Sequence, residues 1–262
     1  MRVAVAGGTG LAGRHVAAAL TARGHEVVVV ARSRGADLLA GGAGLDAALS
    51  GAEVLVDVSN ITTASGKAAL SFFDRAGRNL VAAARRAGVR HHVVLSIVGV
   101  DRVDWGYYRG KLRQEELVRS GAQSWSVLRA TQFHEYAGQV LDLVPGPLAV
   151  VPRMRAQPVA VREAADALAE LAVGSPAGYA PELAGPRVES VPDMARRLLR
   201  VRGSHRPVLA LPVPGTAGRG LAGGALLPDG PGPRGTQTFD EWLAEQARRV
   251  GRPAGRGVPA HR

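Results

Sequence analysis

The sequence of 262 residues contains no cysteine. Disulfide bridges, thiolate catalysis and metal sites with cysteine ligands are therefore excluded. Aromatic residues make up only 4% of the chain, which is too few for the stacking platforms that bind single-stranded nucleic acids. The chain also lacks a Gly-x-Ser-x-Gly nucleophile elbow, a His-Glu-x-x-His motif and a phosphate-binding lysine loop. No metal-ligand spacing is found, and we predict no metal site.

Lysine is rare although the formal net charge is +11. The two lysines are Lys67 and Lys111, and the remaining positive charge is arginine. An ammonium is a compact charge with a tunable pKa, so each lysine is a candidate for a role that arginine cannot fill. The basic residues are scattered, except in a Gly/Pro-rich tail over about residues 250–262 that we predict to be disordered. We therefore predict no nucleic-acid partner.

No apolar run reaches the length of a transmembrane helix, and no signal peptide precedes the first predicted strand. We expect a cytoplasmic enzyme or binding protein whose partner is a small molecule, without membrane contact. The sequence does not indicate an oligomeric state.

A glycine-rich turn near the start of the chain carries the strongest pattern. Its glycines fit Gly8-x-Gly10-x-x-Gly13 and the longer-spaced Gly7-x-x-Gly10-x-x-Gly13, between a strand predicted over 2–6 and a helix over 11–23. Such glycines allow a tight turn, close approach of the backbone to a pyrophosphate, and close packing of the helix on the strand. The alternative is a glycine-rich turn in another kind of α/β protein. We predict a dinucleotide site with contacts from Gly7, Thr9, Gly10, Leu11 and Gly13.

Strands and helices alternate after this turn. Further strands are predicted over 26–31, 53–58, 93–96 and 125–129 and helices over 68–87 and 107–120, and Asp37-Leu38-Leu39 is a candidate third strand. The alternation predicts an α/β fold of the Rossmann type, a doubly wound parallel sheet with helices on both faces. We predict an NAD(P)-binding domain over residues 1–150. Residues 151–262 are richer in proline and predict a smaller, irregular substrate-binding lobe, with no clear pattern over 215–237.

Arg32 and Arg34 follow the second predicted strand. An acidic residue at this point binds the adenosine ribose of NAD(H), whereas arginine accommodates the 2′-phosphate of NADP(H). No acid stands here, so we predict a preference for NADP(H), although exposed arginines are also ordinary in this composition. Asp37 is a candidate contact for the adenine amino group, or a simple loop acid. Asn60 is a candidate cofactor contact because ligands bind at the carboxyl ends of parallel strands.

Tyr107 and Lys111 stand four residues apart near a predicted helix start, on one helix face. An ammonium near a phenol lowers the pKa of the phenol, and such a tyrosine can exchange a proton with a carbonyl or alcohol oxygen. Ser96 ends a predicted strand and is a candidate hydrogen-bond partner for that oxygen. The adjacent Tyr108 is an alternative to Tyr107. A helix with surface tyrosines and a solvated lysine is the simpler interpretation.

These segments together resemble the short-chain dehydrogenase/reductase superfamily, in its atypical NmrA-like NAD(P)-binding branch. The resemblance covers residues 1 to about 175 and rests on five segments, 7–13, 31–34, 95–101, 107–111 and 128–133. It implies that Ser96, Tyr107 and Lys111 are the catalytic set and that Lys111 also holds the nicotinamide ribose.

The same resemblance implies that Gln132, Phe133 and His134 lie beside the nicotinamide as substrate-pocket candidates. His134 is also an alternative acid, although a lone histidine is more often structural. We expect an NADP(H)-dependent oxidoreductase that transfers a hydride between the nicotinamide and a small carbonyl, quinone or related acceptor. Some members of this branch bind the nucleotide and sense redox state without turnover, so a regulatory binding protein is the alternative. The sequence does not identify the substrate.

Overall fold

The computed structural model of the protein describes residues 1–250, and the rest of the predicted basic tail lies outside the described residues. The strands, in chain order, are β1 (Arg2–Ala6), β2 (Glu26–Val30), β3 (Val54–Asp57), β4 (His91–Ile97), β5 (Trp125–Ala130), β6 (Ala149–Pro152), β7 (Arg155–Ala156), β8 (Gly178–Tyr179), β9 (Glu189–Ser190) and β10 (Val208–Leu211). The helices are α1 (Leu11–Ala22), α2 (Ala43–Leu49), α3 (Gly66–Arg86), α4 (Gly106–Gly121), α5 (Tyr136–Leu143), α6 (Val161–Val173), α7 (Val191–Val201), α8 (Gly215–Gly223) and α9 (Phe239–Val250).

A six-stranded parallel sheet in the order β2-β1-β3-β4-β5-β8 forms the centre of the protein. Along β1, Val3 and Val5 belong to an apolar cluster with α1 and α6, whereas Ala4 and Ala6 belong to a cluster with α2 and α3. Helix α4 covers the same face as α3, over β4 and β5. Both faces are therefore covered, which confirms the predicted Rossmann-type, doubly wound α/β fold.

The candidate third strand at residues 37–39 does not form. The backbone N–H of Leu39 donates to Asp37 Oδ1 at 2.8 Å, which closes a turn, and Gly41 and Gly42 follow with φ of +66° and +74°. A side chain that bonds its own backbone two residues ahead competes with strand pairing. Within residues 1–250, β2 is therefore the last strand on its side of the sheet.

The second half of the chain contributes to both parts of the molecule. Helix α6 packs against α1, and β8 pairs with β5, so residues 161–179 return to the central sheet. The other elements after β5 enclose a separate apolar cluster that includes Met194, Leu198 and Phe239. Two small sheets, β6 with parallel β10 and β7 with antiparallel β9, complete this lobe.

Helix α8 lies in the stretch 215–237, where the sequence showed no clear pattern. The glycines of this helix conceal its helical period.

Within residues 1–250, no helix is both long enough and apolar enough to span a bilayer.

Gly13 tests how closely α1 packs on the glycine turn. A Cβ at Gly13 would lie 2.1 Å from the Gly7 carbonyl oxygen, so Gly13→Ala must displace backbone atoms. We expect a loss of about 1–3 kcal/mol in the free energy of unfolding, measured in urea. Gly223→Ala is the matched control, because a Cβ there meets nothing within 4 Å. Equal stability of the two variants would contradict this packing.

Candidate nucleotide-binding and active site

The glycine turn forms a tight cradle between β1 and α1. Gly7 has φ of +77°, and a Cβ on it would lie 2.8 Å from the Cα of Ser59. The N–H of Gly10 donates to the carbonyl oxygen of Gly7 at 2.9 Å, and α1 then begins at Leu11. Among the described residues, no side chain caps this helix, and its first turn holds no acid, so its first N–H groups and positive dipole end suit a pyrophosphate.

Arg32 and Arg34 lie on an exposed 3₁₀ turn directly after β2. Neither guanidinium forms an ion pair with any residue of the described chain. Two unpaired arginines at this strand end fit the prediction of a 2′-phosphate contact. One oxygen of Asp37 is engaged in the turn to Leu39.

Asn60 and Tyr107 meet at the carboxyl edge of the sheet. The Tyr107 hydroxyl donates to Asn60 Oδ1 at 2.7 Å, and the Tyr107 ring makes edge contacts with Phe73 and Tyr108. Burial raises the pKa of Tyr107 to about 12, although the bond to Asn60 acts against it. This direction is opposite to the lowering expected from the sequence, because burial outweighs the bond to Asn60 and the Lys111 ammonium bonds Leu95 and Gln114 instead of Tyr107. Tyr108 packs into the apolar cluster of the lobe.

Lys111 is buried on the inner face of α4. Its Nζ donates to the Leu95 carbonyl oxygen at 2.6 Å and to Gln114 Oε1 at 2.5 Å, and it lies 5.0 Å from the Phe73 ring centroid. Burial lowers the pKa of Lys111 to about 8, and the negative charges of Asp57 and Glu115 oppose this shift.

Ser96 is also buried, one residue before the end of β4 and opposite Arg129 of β5. Its hydroxyl has no hydrogen-bond partner among the residues that the structure describes. Gln132, just after β5, likewise leaves both atoms of its carboxamide without a partner in the described chain. Unsatisfied buried polar groups are costly, so groups left open at strand ends suit a bound ligand.

Phe133 and His134 differ in their surroundings. Phe133 is half-buried against the cluster between the sheet and α6. His134 is fully buried; its Nε2 lies 3.2 Å from the Gln237 carbonyl oxygen, and its ring contacts Phe239 and Trp242. Burial lowers the pKa of His134 to about 4, so the imidazole is neutral near pH 7 and anchors α9.

Sequence reasoning missed Asp57 and Gln114, each only 1% exposed. Gln114 Nε2 donates to Asp57 Oδ2 at 2.6 Å, and Asp57 Oδ1 accepts from the Ser59 backbone N–H at 2.9 Å. The available signals were an acid that ends a buried strand and a glutamine three residues after Lys111. Both were weak without knowledge of how α4 lies on the sheet.

The fold and the glycine cradle define a dinucleotide-binding protein of the α/β class. A sequence profile described as NAD(P)H-binding matches residues 7–146, more than half of the chain. The chain therefore belongs to this NAD(P)H-binding family. No curated protein matches the sequence.

Solved structures with the same fold include three with named activities or ligands. An NADPH-dependent quinone oxidoreductase (QOR2) from Escherichia coli, complexed with NADPH, is 20% identical over 93% of this chain and 99% of its own, with a TM-score of 0.68. A triphenylmethane reductase from Citrobacter sp. is 17% identical over 95% and 100%, with a TM-score of 0.70. An Agrobacterium tumefaciens short-chain dehydrogenase/reductase with bound NAD is 19% identical over 95% and 98%, with a TM-score of 0.67.

A substitution at Gly10 tests whether the glycine cradle binds the nucleotide, without disturbing the fold. Its φ of −74° is open to any residue, and a Cβ would meet only the Gly7 carbonyl oxygen, at 3.2 Å. We expect Gly10→Val to abolish NADPH binding in calorimetry, because the side chain obstructs the approach of a pyrophosphate, while the unfolding midpoint stays near that of the wild type. Gly223→Val is the control for a valine at an open glycine. Unchanged NADPH affinity in Gly10→Val would show that the nucleotide binds elsewhere.

Proposed function

We propose that the protein is an NADP(H)-dependent oxidoreductase that transfers a hydride between the nicotinamide and a small carbonyl, quinone or related acceptor. The observation that carries this proposal is the 2.7 Å bond from the Tyr107 hydroxyl to Asn60. Asn60 follows Ser59, whose Cα would touch a Cβ on Gly7. A proton-bearing group is therefore held at the strand end beside the glycine cradle.

Tyr107 is the proposed proton donor. Because its pKa is raised to about 12, the hydroxyl keeps its proton near pH 7 and is ready to give it to an oxygen that gains negative charge. This favours the direction in which the acceptor is reduced. A bound nicotinamide cofactor supplies the hydride, and the protein supplies orientation and the proton.

Lys111 and Ser96 have supporting roles in this proposal. An ammonium has three donors, and two of those on Lys111 are used by Leu95 and Gln114. The third remains for the nicotinamide ribose. The Ser96 hydroxyl, buried without a partner in the described chain, is the proposed second contact to the substrate oxygen.

The named structural relatives agree with this class of reaction. QOR2 is described as an NADPH-dependent quinone oxidoreductase, and the Citrobacter protein as a reductase of triphenylmethane dyes. Both descriptions name conjugated acceptors. We therefore propose that quinones are the first substrates to assay, with small carbonyls beside them.

A nucleotide-sensing protein without turnover is the second candidate. The Lys111 ammonium bonds inward rather than to Tyr107, and the pKa of Tyr107 is raised rather than lowered. An oxidoreductase that relied on a phenolate would not show this arrangement. The turnover experiment below separates the two candidates.

The cofactor preference is tested at the turn after β2. Replacing Arg32 and Arg34 by alanine is expected to weaken NADPH binding much more than NADH binding. Each contact between a guanidinium and a phosphate contributes about 1.5–3 kcal/mol, or roughly tenfold or more in affinity. Arg75→Ala/Arg85→Ala removes two exposed charges from α3 as a control. If the wild type binds NADH as tightly as NADPH in calorimetry, the assignment is wrong.

The proton donor is tested with Tyr107→Phe, which keeps the ring and removes the hydroxyl. Turnover of NADPH with an accepted quinone or carbonyl should fall by about two to four orders of magnitude, the usual effect of losing a general acid. NADPH affinity should stay nearly unchanged, and Tyr108→Phe is the matched control. Full activity in Tyr107→Phe would move the role to another group. If no acceptor in a broad panel oxidises NADPH with the wild type, the sensing function is the better conclusion.

A further inference from the structure

Gln114 lies between two buried charged groups. Its Oε1 accepts from Lys111 Nζ at 2.5 Å, and its Nε2 donates to Asp57 Oδ2 at 2.6 Å. All three side chains are at least 95% buried, with exposures of 5% for Lys111 and 1% each for Asp57 and Gln114. Water therefore does not replace either bond.

The chemistry of the two neighbours dictates a neutral amide at this position. An ammonium only donates hydrogen bonds and an ionised carboxylate only accepts them, so the group between them must accept at one end and donate at the other. A glutamate at position 114 would place an acceptor oxygen against the acceptor oxygen of Asp57. A lysine or arginine there would place a donor against the donor of Lys111.

The chain of bonds continues from Gln114 to the glycine cradle. Asp57 Oδ1 accepts from the backbone N–H of Ser59, and the Ser59 Cα lies 2.8 Å from the place that a Cβ on Gly7 would take. On the other side, Gln114 and Tyr107 share helix α4. The amide thus connects the helix of the proposed proton donor to the strand end that supports the nucleotide turn.

We propose that Gln114 is a positioning residue: it aims the Lys111 ammonium and ties α4, with Tyr107, to the end of β3 beside the glycine cradle. This inference rests on the proposed function for its catalytic meaning. The bridge itself is testable without turnover, because it controls the charge of Lys111 and the support of the nucleotide turn.

The charged groups around Lys111 determine whether a substitution raises or lowers its pKa. Asp57 on β3 and Glu115 on α4 are the negative groups that favour its charged form, and Glu115 is itself paired with Arg129 of β5. His92 on β4 has a pKa lowered to about 4 by burial, so it is neutral near pH 8. A carboxylate gained or lost near the ammonium therefore dominates the shift of its pKa.

The experiment is the pH titration of Lys111 by NMR with lysine labelled at Cε. The chain has only two lysines, so the spectrum contains one resonance for Lys111 and one for the exposed Lys67 as an internal control. The wild-type midpoint of Lys111 is expected near pH 8. Gln114→Glu should raise this midpoint and Asp57→Asn should lower it, each by about one pH unit or more.

The double variant Gln114→Glu/Asp57→Asn exchanges the acceptor and the donor between the two positions. It restores a full set of hydrogen bonds at unchanged net charge, because an asparagine amide donates to a glutamate that accepts from Lys111. Because the carboxylate now contacts Lys111 directly, we expect the Lys111 midpoint of the double variant to lie between those of the two single variants. The affinity of the double variant for NADPH should recover to near the wild-type value. Each single variant is expected to lose about tenfold in affinity, which is the effect of one hydrogen bond to a charged group.

Gln139→Glu, at an exposed position on α5, is the control for the added charge and should change neither the Lys111 midpoint nor the affinity for NADPH. The proposal is overturned if both single variants titrate and bind NADPH like the wild type, or if the double variant does not recover the NADPH affinity that they lose. If a single variant does not fold, the double variant decides alone: a folded chain with wild-type-like NADPH affinity supports the bridge, and a weakened affinity or an unfolded chain refutes it. Absence of turnover in the wild type would refute the proposed function without touching this result.

Discussion

The buried ammonium of Lys111 is the constraint on which the arrangement of the site depends. A charge taken out of water is costly unless it is hydrogen-bonded and faces opposite charge. The Leu95 carbonyl and Gln114 supply the bonds, and Asp57 and Glu115 supply the charge. Because these groups come from β3, β4 and α4, satisfying one cation also sets the relative position of three elements.

Helix α4 consequently differs from the helices on the opposite face of the sheet. Helices α1 and α6 pack on the sheet through apolar side chains, whose attraction is strong but not directional, and the ion pair of Arg23 with Asp166 that joins them at 3.0 Å is exposed. Helix α4 adds directional contacts: Gln114 to Asp57, and a two-bond pairing of Glu115 with Arg129 at 3.0 and 2.9 Å. A helix held in this way presents the Tyr107 hydroxyl at a defined place, which non-directional packing alone does not ensure.

Local patterns predicted the parts of the fold that depend on nearby residues. The strand, turn and helix over residues 2–22 follow from alternation and glycine spacing, and the positions of Tyr107 and Lys111 on one helix follow from the helical period. The surroundings of these side chains depend on distant residues. Phe73 and the lobe bury Tyr107, which reverses the expected direction of its pKa shift. His134 is enclosed by aromatic rings about one hundred residues later in the chain, and residues 37–39 turn because an aspartate side chain competes for the backbone.

Strand β2 ends the sheet on one side, because residues 37–39 form a turn rather than a neighbouring strand. An outermost strand offers its free amide and carbonyl groups to any other chain, which makes it a route to aggregation. The first three valines of β2 are half-buried and Val30 is fully buried, and the strand is bounded by the charged side chains of Glu26 and Arg32. Charged side chains at an edge make the pairing of another strand less favourable, so the arginine turn that is suited to a phosphate also limits strand pairing along this margin.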